Sequence, residues 1–184
     1  MADDQESNDK AASPAASALP ADDPTRTLTH RGAEDPPHIG LVGDTYTVLV
    51  SGKDSAGRYC LIDMHIPPGG GPPPHRHDFE ETFSVLAGEI EATFRGTTAT
   101  VKTGETIHIP ANAPHQFRNV SSEPARLFCI CSPAGQEEFF ALVGIPVGGR
   151  TEAPPALDEA GEAEFRKKAG LLAPQYRTEF VKPA

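Results

Sequence analysis

The sequence predicts an all-β domain, a sandwich or a barrel, followed by short helices. Between residues 45 and 131, short runs of apolar and β-branched residues recur, and turns rich in Gly or Pro separate them. Strand signals spaced by about 8–12 residues are typical of all-β sandwiches and barrels. A parallel α/β fold needs helical segments between its strands, and this stretch of the sequence shows none.

Eight strands are predicted in order, each from its residue types and its flanking turns. Residues 45–51 (TYTVLVS) are almost all β-branched or apolar. Residues 90–94 alternate apolar and polar side chains, which is typical of a half-buried strand. The connecting turns contain glycine, as at Gly88, Gly96 and Gly104. The predicted strands are 45–51, 58–66, 82–86, 90–94, 97–102, 106–109, 116–120 and 125–131.

The segments that flank the strands differ from them in composition. The first residues are Ala, Ser, Pro and Asp with few apolar side chains, so we expect a disordered acidic tail. A loop-like arm follows, which we expect to lie across the domain or across another subunit. The predicted organisation is a tail (1–26), an arm (27–44), a β-barrel (45–133) and a C-terminal helical extension (134–184).

Two helices are predicted in the C-terminal extension because the hydrophobic period changes there. Residues 136–143 (QEEFFALV) read as a short helix whose Phe139 and Phe140 are expected to cap the barrel. Residues 157–172 have helical spacing, with Asp158 as the expected N-cap.

Composition excludes several classes of function. The chain has 184 residues and a net charge of -10, which argues against a nucleic-acid-binding protein because those carry a basic surface. It contains neither a long apolar run nor a secretory signal, so we expect no membrane contact. Cys60, Cys129 and Cys131 lack C-x-x-C spacing and are interpreted as buried reduced thiols, which favours a cytoplasmic location.

The candidate functional residues lie in the stretch GGGPPPHRHDFEETFSVLAG, residues 69–88. Side chains alternate between the two faces of an extended strand, so His75, His77 and Glu81 share one face. His115, further along the chain, is a fourth candidate. Imidazole and carboxylate groups that converge in this way suit a divalent transition metal ion.

The spacing of these residues resembles the two signature motifs of the cupin superfamily, G-x5-H-x-H-x3,4-E-x6-G and G-x5-P-x-G-x2-H-x3-N. In the second motif Asn112 replaces the usual glycine, and asparagine tolerates the positive φ of a tight loop better than most residues. The resemblance implies a double-stranded β-helix, or jelly roll, that holds one metal ion. The implied ligands are His75, His77, Glu81 and His115, and the matched motif positions run from Gly69 to Asn119.

Alternatives to these ligands are weaker. Glu80 competes with Glu81, but its parity is opposite to that of the histidines and only Glu81 lies six residues before Gly88. His115 has the alternative of being an ordinary loop histidine. His65 is compatible with either a cavity-facing or a surface position, and Asn119 is interpreted as structural. The remaining histidines, His30, His38 and His108, are given no role.

Within the cupins, the chain resembles the small quercetin-dioxygenase-like group through the runs EETFSVLAGEIEATF and AGLLAPQYRTEF. This resemblance implies a metal-dependent dioxygenase-type oxidoreductase acting on a small aromatic or enolisable molecule, with Glu81 as catalytic base. The alternatives are a non-oxidative isomerase, decarboxylase or lyase, and a ligand-binding module without turnover. Fe, Mn, Ni, Co, Cu and Zn are all compatible with the ligands.

Two further expectations concern the substrate pocket and the assembly of the protein. Substrate-selecting side chains are expected among the aromatic residues near the motifs. A homodimer is expected because open sheet edges and the N-terminal arm can pair between subunits. The pocket candidates are Phe79, Phe83, Phe117, Tyr59 and Phe128.

Overall fold

The computed structural model describes residues 19–32 and 37–182, so most of the predicted tail lies outside the described residues. The described part contains twelve β-strands, and every pairing between them is antiparallel. The strands are β1 His38–Leu41, β2 Asp44–Val50, β3 Cys60–Ile66, β4 His75–His77, β5 Glu80–Ala87, β6 Glu89–Phe94, β7 Thr97–Lys102, β8 Thr106–Ile109, β9 His115–Arg118, β10 Ala125–Ser132, β11 Ile145–Val147 and β12 Thr178–Phe180.

Helices are few and short. Asp158 caps the longest helix by accepting a hydrogen bond from the backbone N–H of Gly161 at 2.8 Å, as the sequence predicts. Where a turn was expected after β2, Ser51 and Asp54 form a capping box that starts a single helical turn. The helices are α1 Gly52–Ser55, α2 Gln136–Val143, α3 Glu159–Leu172 and a 3-10 helix, Ala173–Tyr176. No helix of the described residues is long and apolar enough to cross a membrane.

The strands form two sheets that pack face to face as a jelly roll. One sheet has seven strands in the order β11-β1-β2-β3-β10-β5-β8, and the other has five in the order β12-β4-β9-β6-β7. The inner side chains of both sheets are buried in one hydrophobic core. The rings of Phe83 and Phe117, one from each sheet, meet edge to face with their centroids 5.1 Å apart. The predicted jelly-roll fold is therefore confirmed.

All eight predicted strands are present, but the structure adds pairings that the sequence did not predict. The expected loop-like arm contains β1, which pairs with β2 and β11. The extension that we expected to be helical also supplies β11 and β12, one to the edge of each sheet. Strands β1, β11 and β12 have only three or four residues each and little alternation of apolar and polar side chains, and Pro146 lies within β11. Their sequence patterns were therefore too short to indicate strands.

The stretch with the candidate ligands is not one continuous strand, which corrects the prediction. β4 belongs to the five-stranded sheet, whereas β5 belongs to the seven-stranded sheet. The chain crosses between the sheets at Asp78 and Phe79. His75, His77 and Glu81 still face the same interior space, because each sheet turns its inner face to the core.

The glycine run before β4 fixes where that strand begins. A side chain at Gly71 would collide with the carbonyl oxygen of Phe117, and Gly71 has a φ of 123°, which favours glycine. Gly69 donates its N–H to the carbonyl of Asn119 at 2.7 Å, and Asn119 donates to the carbonyl of Gly70 at 2.9 Å. The buried side chain of Asn119 also bonds the carbonyl of Ile66, which supports its expected structural role.

The N-terminal segment lies across the barrel of its own chain. Arg31 donates to the carbonyl of Leu49 at 3.0 Å and to the carboxylate of Asp54 at 2.8 Å. Arg26 donates to the backbone carbonyl of Asp54 at 2.9 Å. This part of the arm therefore binds β2 and α1 within one chain.

Candidate metal centre

Three histidines and one glutamate converge inside the jelly roll. His75 and His77 come from β4, and His115 is the residue opposite His75 on the neighbouring β9. Glu81 reaches the same point from β5 in the other sheet. All four side chains are buried, and one ligand atom from each lies within 4.8 Å of the others. The structure thus brings together the four residues that the sequence motifs indicated.

The competing residues lie outside this cluster. Glu80 is exposed, and its carboxylate is 3.0 Å from Nε2 of His108. Arg76, which lies between the two histidines of β4 and is not a ligand candidate, is on the surface and pairs with Glu179. His65 is half-buried on the outer face of β3, because Ile62 and Met64 occupy the inner face. The cavity-facing alternative for His65 is therefore wrong.

Each of the three imidazoles is oriented by a hydrogen bond from Nδ1 to a backbone carbonyl. A carbonyl oxygen only accepts hydrogen bonds, so Nδ1 carries the proton and Nε2 keeps a free lone pair. Histidines that bind metal ions are usually held in this way. The three contacts, all 2.9 Å long, join His75 to Pro73, His77 to Phe79 and His115 to Ala113.

The Nε2 atoms of His77 and His115 point at the carboxylate of Glu81. Oε2 of Glu81 is 3.1 Å from Nε2 of His77 and 3.0 Å from Nε2 of His115. When Nδ1 holds the imidazole proton, both partners in each contact are acceptors, and they attract only if a proton or a cation lies between them. One divalent cation would satisfy the three imidazoles and the carboxylate together, and their N and O atoms suit a transition metal ion.

Without an ion, the electrostatics of the cluster favour the ligand form of Glu81 and of His75, and they favour a proton on His115, which a metal ion would displace. Burial raises the pKa of Glu81, but when Nε2 of His115 and His77 also carries a proton, the hydrogen bonds that they donate outweigh burial, so its pKa lies below the usual value. Burial and the nearby His115 lower the pKa of His75 to about 4. Burial lowers the pKa of His115, but the bond to Glu81 raises it further, so the net shift is upward. At neutral pH, Glu81 is therefore ionised and His75 is neutral.

Two thiols contact the other oxygen of Glu81, a contact that sequence analysis missed. Cys129 and Cys131 are buried, and their sulfur atoms are 3.5 Å apart. Cys129 donates to Oε1 of Glu81 at 3.3 Å, and Cys131 does so at 3.7 Å. The bond with Cys131 lowers the pKa of Cys129, but burial and the Glu81 charge raise it to about 12, so this thiol keeps its proton. The imidazoles and the thiols thus fix the two oxygens of Glu81 separately.

Three of the five aromatic pocket candidates lie inside the barrel. Phe79 stacks on the ring of His77 with a centroid distance of 3.7 Å and an interplanar angle of 3°. Phe83 and Phe117 are buried against each other between the sheets. Tyr59, with 41% of its surface exposed, lies outside. Phe128 is also outside the core, on the outer face of β10.

Asp44 is a buried acid that sequence analysis did not single out. Its Oδ2 accepts hydrogen bonds from the hydroxyl of Tyr46 and the N–H of Gly71, both at 3.1 Å. Its Oδ1 has no hydrogen-bond partner among the described residues. Burial raises the pKa of Asp44 to about 7. The available signal in the sequence was a lone acidic residue at the start of an otherwise apolar strand.

Comparison with known proteins agrees with the fold and the motifs. The cupin domain family matches residues 62–131. Polyketide synthase CurC of Streptomyces cyaneus is 31% identical over 120 residues, which cover 64% of this chain and 73% of CurC. Quercetin 2,3-dioxygenase of Bacillus subtilis (strain 168) is 27% identical over 111 residues, or 59% of this chain. The matched stretch spans only 33% of the length of that dioxygenase.

A solved structure shows the same fold over a larger share of the chain. The polyketide cyclase RemF from Streptomyces resistomycificus superposes with a TM-score of 0.52 at 24% sequence identity. The superposition covers 77% of this chain and 94% of RemF. Their shared architecture therefore extends beyond the stretch that the family sequence match covers.

Replacing Asp44 should change how stability depends on pH. The pKa of Asp44 is about 7 in the folded protein, against an ordinary value of 3.8 that we assign to the unfolded chain. The unfolded chain therefore releases this proton first, and the free energy of unfolding falls as the pH rises from about 4 to about 7. We expect this group to contribute a fall of about 4 kcal/mol, to order of magnitude. Urea denaturation of wild type and Asp44→Asn across this range measures it. Parallel pH profiles for the two proteins would contradict the assignment.

Proposed function

Because the chain belongs to the cupin superfamily, we propose that His75, His77, Glu81 and His115 bind one divalent transition metal ion. We further propose that the protein is a metal-dependent, dioxygenase-type oxidoreductase that acts on a small aromatic or enolisable molecule. The observation that carries this proposal is the convergence of imidazole Nε2 atoms on a buried carboxylate, with every Nδ1 proton already bonded to a carbonyl.

The four residues determine the charge of the centre. Three neutral imidazoles and one carboxylate carry a single negative charge, so a bound divalent ion keeps a net positive charge. Such an ion supplies Lewis acidity and, if it is redox-active, a route for electrons to dioxygen. This charge favours a substrate that presents an anionic oxygen, such as an enolate or a phenolate. Fe, Mn, Ni, Co, Cu and Zn all remain compatible with the donor set.

Glu81 is the residue that we assign as catalytic base. It is the only acidic side chain of the four-residue cluster, and its pKa lies below the usual value, so it is ionised at neutral pH. Its Oε1 faces Cys129 and Cys131 instead of the imidazoles. The carboxylate can therefore accept a proton from a hydroxyl or an acidic C–H of the substrate while the thiols hold its position.

A second candidate is a non-oxidative reaction at the same residues, such as an isomerisation, a decarboxylation or a lyase reaction. The observation that favours it is the similarity to CurC, which is named as a polyketide synthase, at 31% identity. The similarity to quercetin 2,3-dioxygenase favours the oxidative reaction instead. Both reactions need an ion that polarises an oxygen atom of the substrate. They differ in whether dioxygen is consumed.

We also propose a cytoplasmic location and a small organic substrate. The three cysteines are unpaired and buried, as is usual in a reducing compartment. The net charge of -10 argues against nucleic acid as a partner.

Metal content should depend on the four cluster residues. We expect about one transition metal ion per chain in protein purified without added metal, since the cluster offers one set of four ligands. Alanine variants of His75, Glu81 and His115 should lose most of this metal, because each removes a ligand and leaves the others unpaired. Elemental analysis of the purified proteins measures it. His108→Ala is the matched control, since His108 is an exposed histidine that pairs with Glu80. Unchanged metal content in both Glu81→Ala and His115→Ala would refute the centre.

Oxygen uptake should distinguish the two reactions. The metal-free protein is loaded separately with each of the six ions and supplied with flavonols and other enolisable compounds. We expect oxygen consumption with at least one redox-active ion, none with Zn, and a large loss of rate in Glu81→Gln. An oxygen electrode records the rate, and chromatography records the product. Product formation without oxygen in the Zn-loaded protein would instead support the non-oxidative reaction, and ligand binding without product would support a binding module.

The protein should form a homodimer. Strand β7 of the five-stranded sheet and β8 of the seven-stranded sheet each have one edge without a neighbour in the described part of the chain, and such edges favour pairing between copies. Size-exclusion chromatography with light scattering should give twice the chain mass of 19.5 kDa. A particle with the mass of one chain would overturn this expectation.

A further inference from the structure

A cavity of about 540 Å³ lies between the barrel and the C-terminal helices. Its walls come from β1 and β2, from Pro72, Pro73 and Pro74 before β4, from α2 and α3, and from the end of β12. None of the four residues of the candidate metal centre lines it. Its volume falls within the range of about 300–1,000 Å³ that is usual for small-molecule sites.

Five aromatic side chains line the cavity. The rings of Tyr46 and Phe140 meet edge to face with centroids 4.8 Å apart, and Phe139 lies beside Phe140 at 6.0 Å. Phe165 of α3 and Phe180 of β12 complete the aromatic part of the lining. Phe139 and Phe140 were expected to cap the barrel, and they do pack against its core, but they also face this cavity. Walls of this kind favour a flat ring as ligand.

Asp44 is a buried acidic residue among those that line the cavity. Asp44 is only 3% exposed, and its Oδ1 lacks a hydrogen-bond partner among the described residues. Tyr46 and Gly71 both donate to Oδ2, so they leave Oδ1 unpaired. A buried carboxyl oxygen without a partner is unfavourable, and native proteins seldom keep one unless water, an ion or a ligand supplies the bond.

A hydroxyl group suits Asp44 better than other polar groups. Burial raises the pKa of Asp44 to about 7, so both protonation states are present near neutral pH. A hydroxyl can donate to the ionised carboxylate and can accept from the protonated form, whereas an ether or a ketone can only accept.

The rim of the cavity favours a neutral molecule. Glu162 and Arg166 line it from α3, and they pair with each other at 3.0 Å. Because their charges compensate, the rim does not select a cation or an anion.

From these observations we propose that the cavity binds a neutral aromatic molecule that carries a hydroxyl group. Its ring lies against Tyr46, Phe140 and Phe165, and its hydroxyl bonds to Oδ1 of Asp44 once the carboxyl group rotates toward the cavity, because that atom is closed to solvent in this structure. This site goes beyond the function proposed for the metal centre and does not require a bound ion. The two sites share one wall, because Pro73 lines the cavity and accepts the Nδ1 hydrogen bond of His75.

The test uses two matched probes, 2-naphthol and 2-methoxynaphthalene, which differ in the hydroxyl proton. The chain contains no tryptophan, so naphthalene fluorescence can be read with little protein background. We expect the full-length protein to bind 2-naphthol about tenfold more tightly than the ether, the size of effect expected for one hydrogen bond to a charged group. Asp44→Asn should lose this preference, because its amide can place a donor where the carboxyl oxygen was.

Two further variants and a metal-removal control show where the probe binds. Phe165→Ala should weaken binding of both probes to a similar extent, whereas Phe128→Ala, on the outer face of β10, should leave both unchanged. Treatment with EDTA should not alter either affinity, so failure of this proposal and failure of the metal centre can be told apart. Circular dichroism confirms that each variant is folded. Equal affinity for the two probes in the wild type, no effect of Phe165→Ala, or loss of binding after EDTA treatment would each overturn the proposal.

Discussion

Glu81 contacts the imidazoles of His77 and His115 across the gap between the two sheets. The geometry of the whole centre depends on the width of that gap. Glu81 belongs to the seven-stranded sheet, whereas all three histidines belong to the other sheet. Their approach to about 3 Å therefore requires the sheets to pack at one fixed separation. The buried core, including the edge-to-face pair of Phe83 and Phe117, sets that separation. Packing energy and site geometry are thus coupled in this protein.

Around this contact, backbone groups do most of the positioning. Each histidine is held by a carbonyl two residues away in the sequence, so its ring orientation is decided locally. The position of β4 is decided at longer range, by the passage of Gly69, Gly70 and Gly71 against the end of β9. Asn112 adopts a φ of 67° and donates its N–H to the carbonyl of His77, so an asparagine does replace the motif glycine there. Local and long-range restraints act on the same side chains, which limits the reorganisation that metal binding would need.

The sequence predicted the ligand cluster and the central strands well because both leave short-range patterns. Residue spacing identified His75, His77, Glu81 and His115, although the supposed continuous strand is in fact two strands in different sheets. The parity argument still gave the right face for Glu81, because both inner faces point to one core. Three features were not predicted: the contact of Cys129 with Glu81, the burial of Asp44 and the cavity beside α3. Each depends on residues that are far apart in the chain, so no short-range sequence pattern indicates it.

Strand β12 affects when the metal centre forms during folding. It pairs with β4, so that Phe180 lies opposite His75 and Thr178 lies opposite His77, about a hundred residues away in the chain. On its other side β4 has only one paired position, between His75 and His115. Contacts over such separations close long loops and tend to form late in folding. We therefore expect the strand that carries two of the proposed ligands to be ordered at a late step of folding, so that a metal ion would be captured by an almost complete fold and not by a nascent chain.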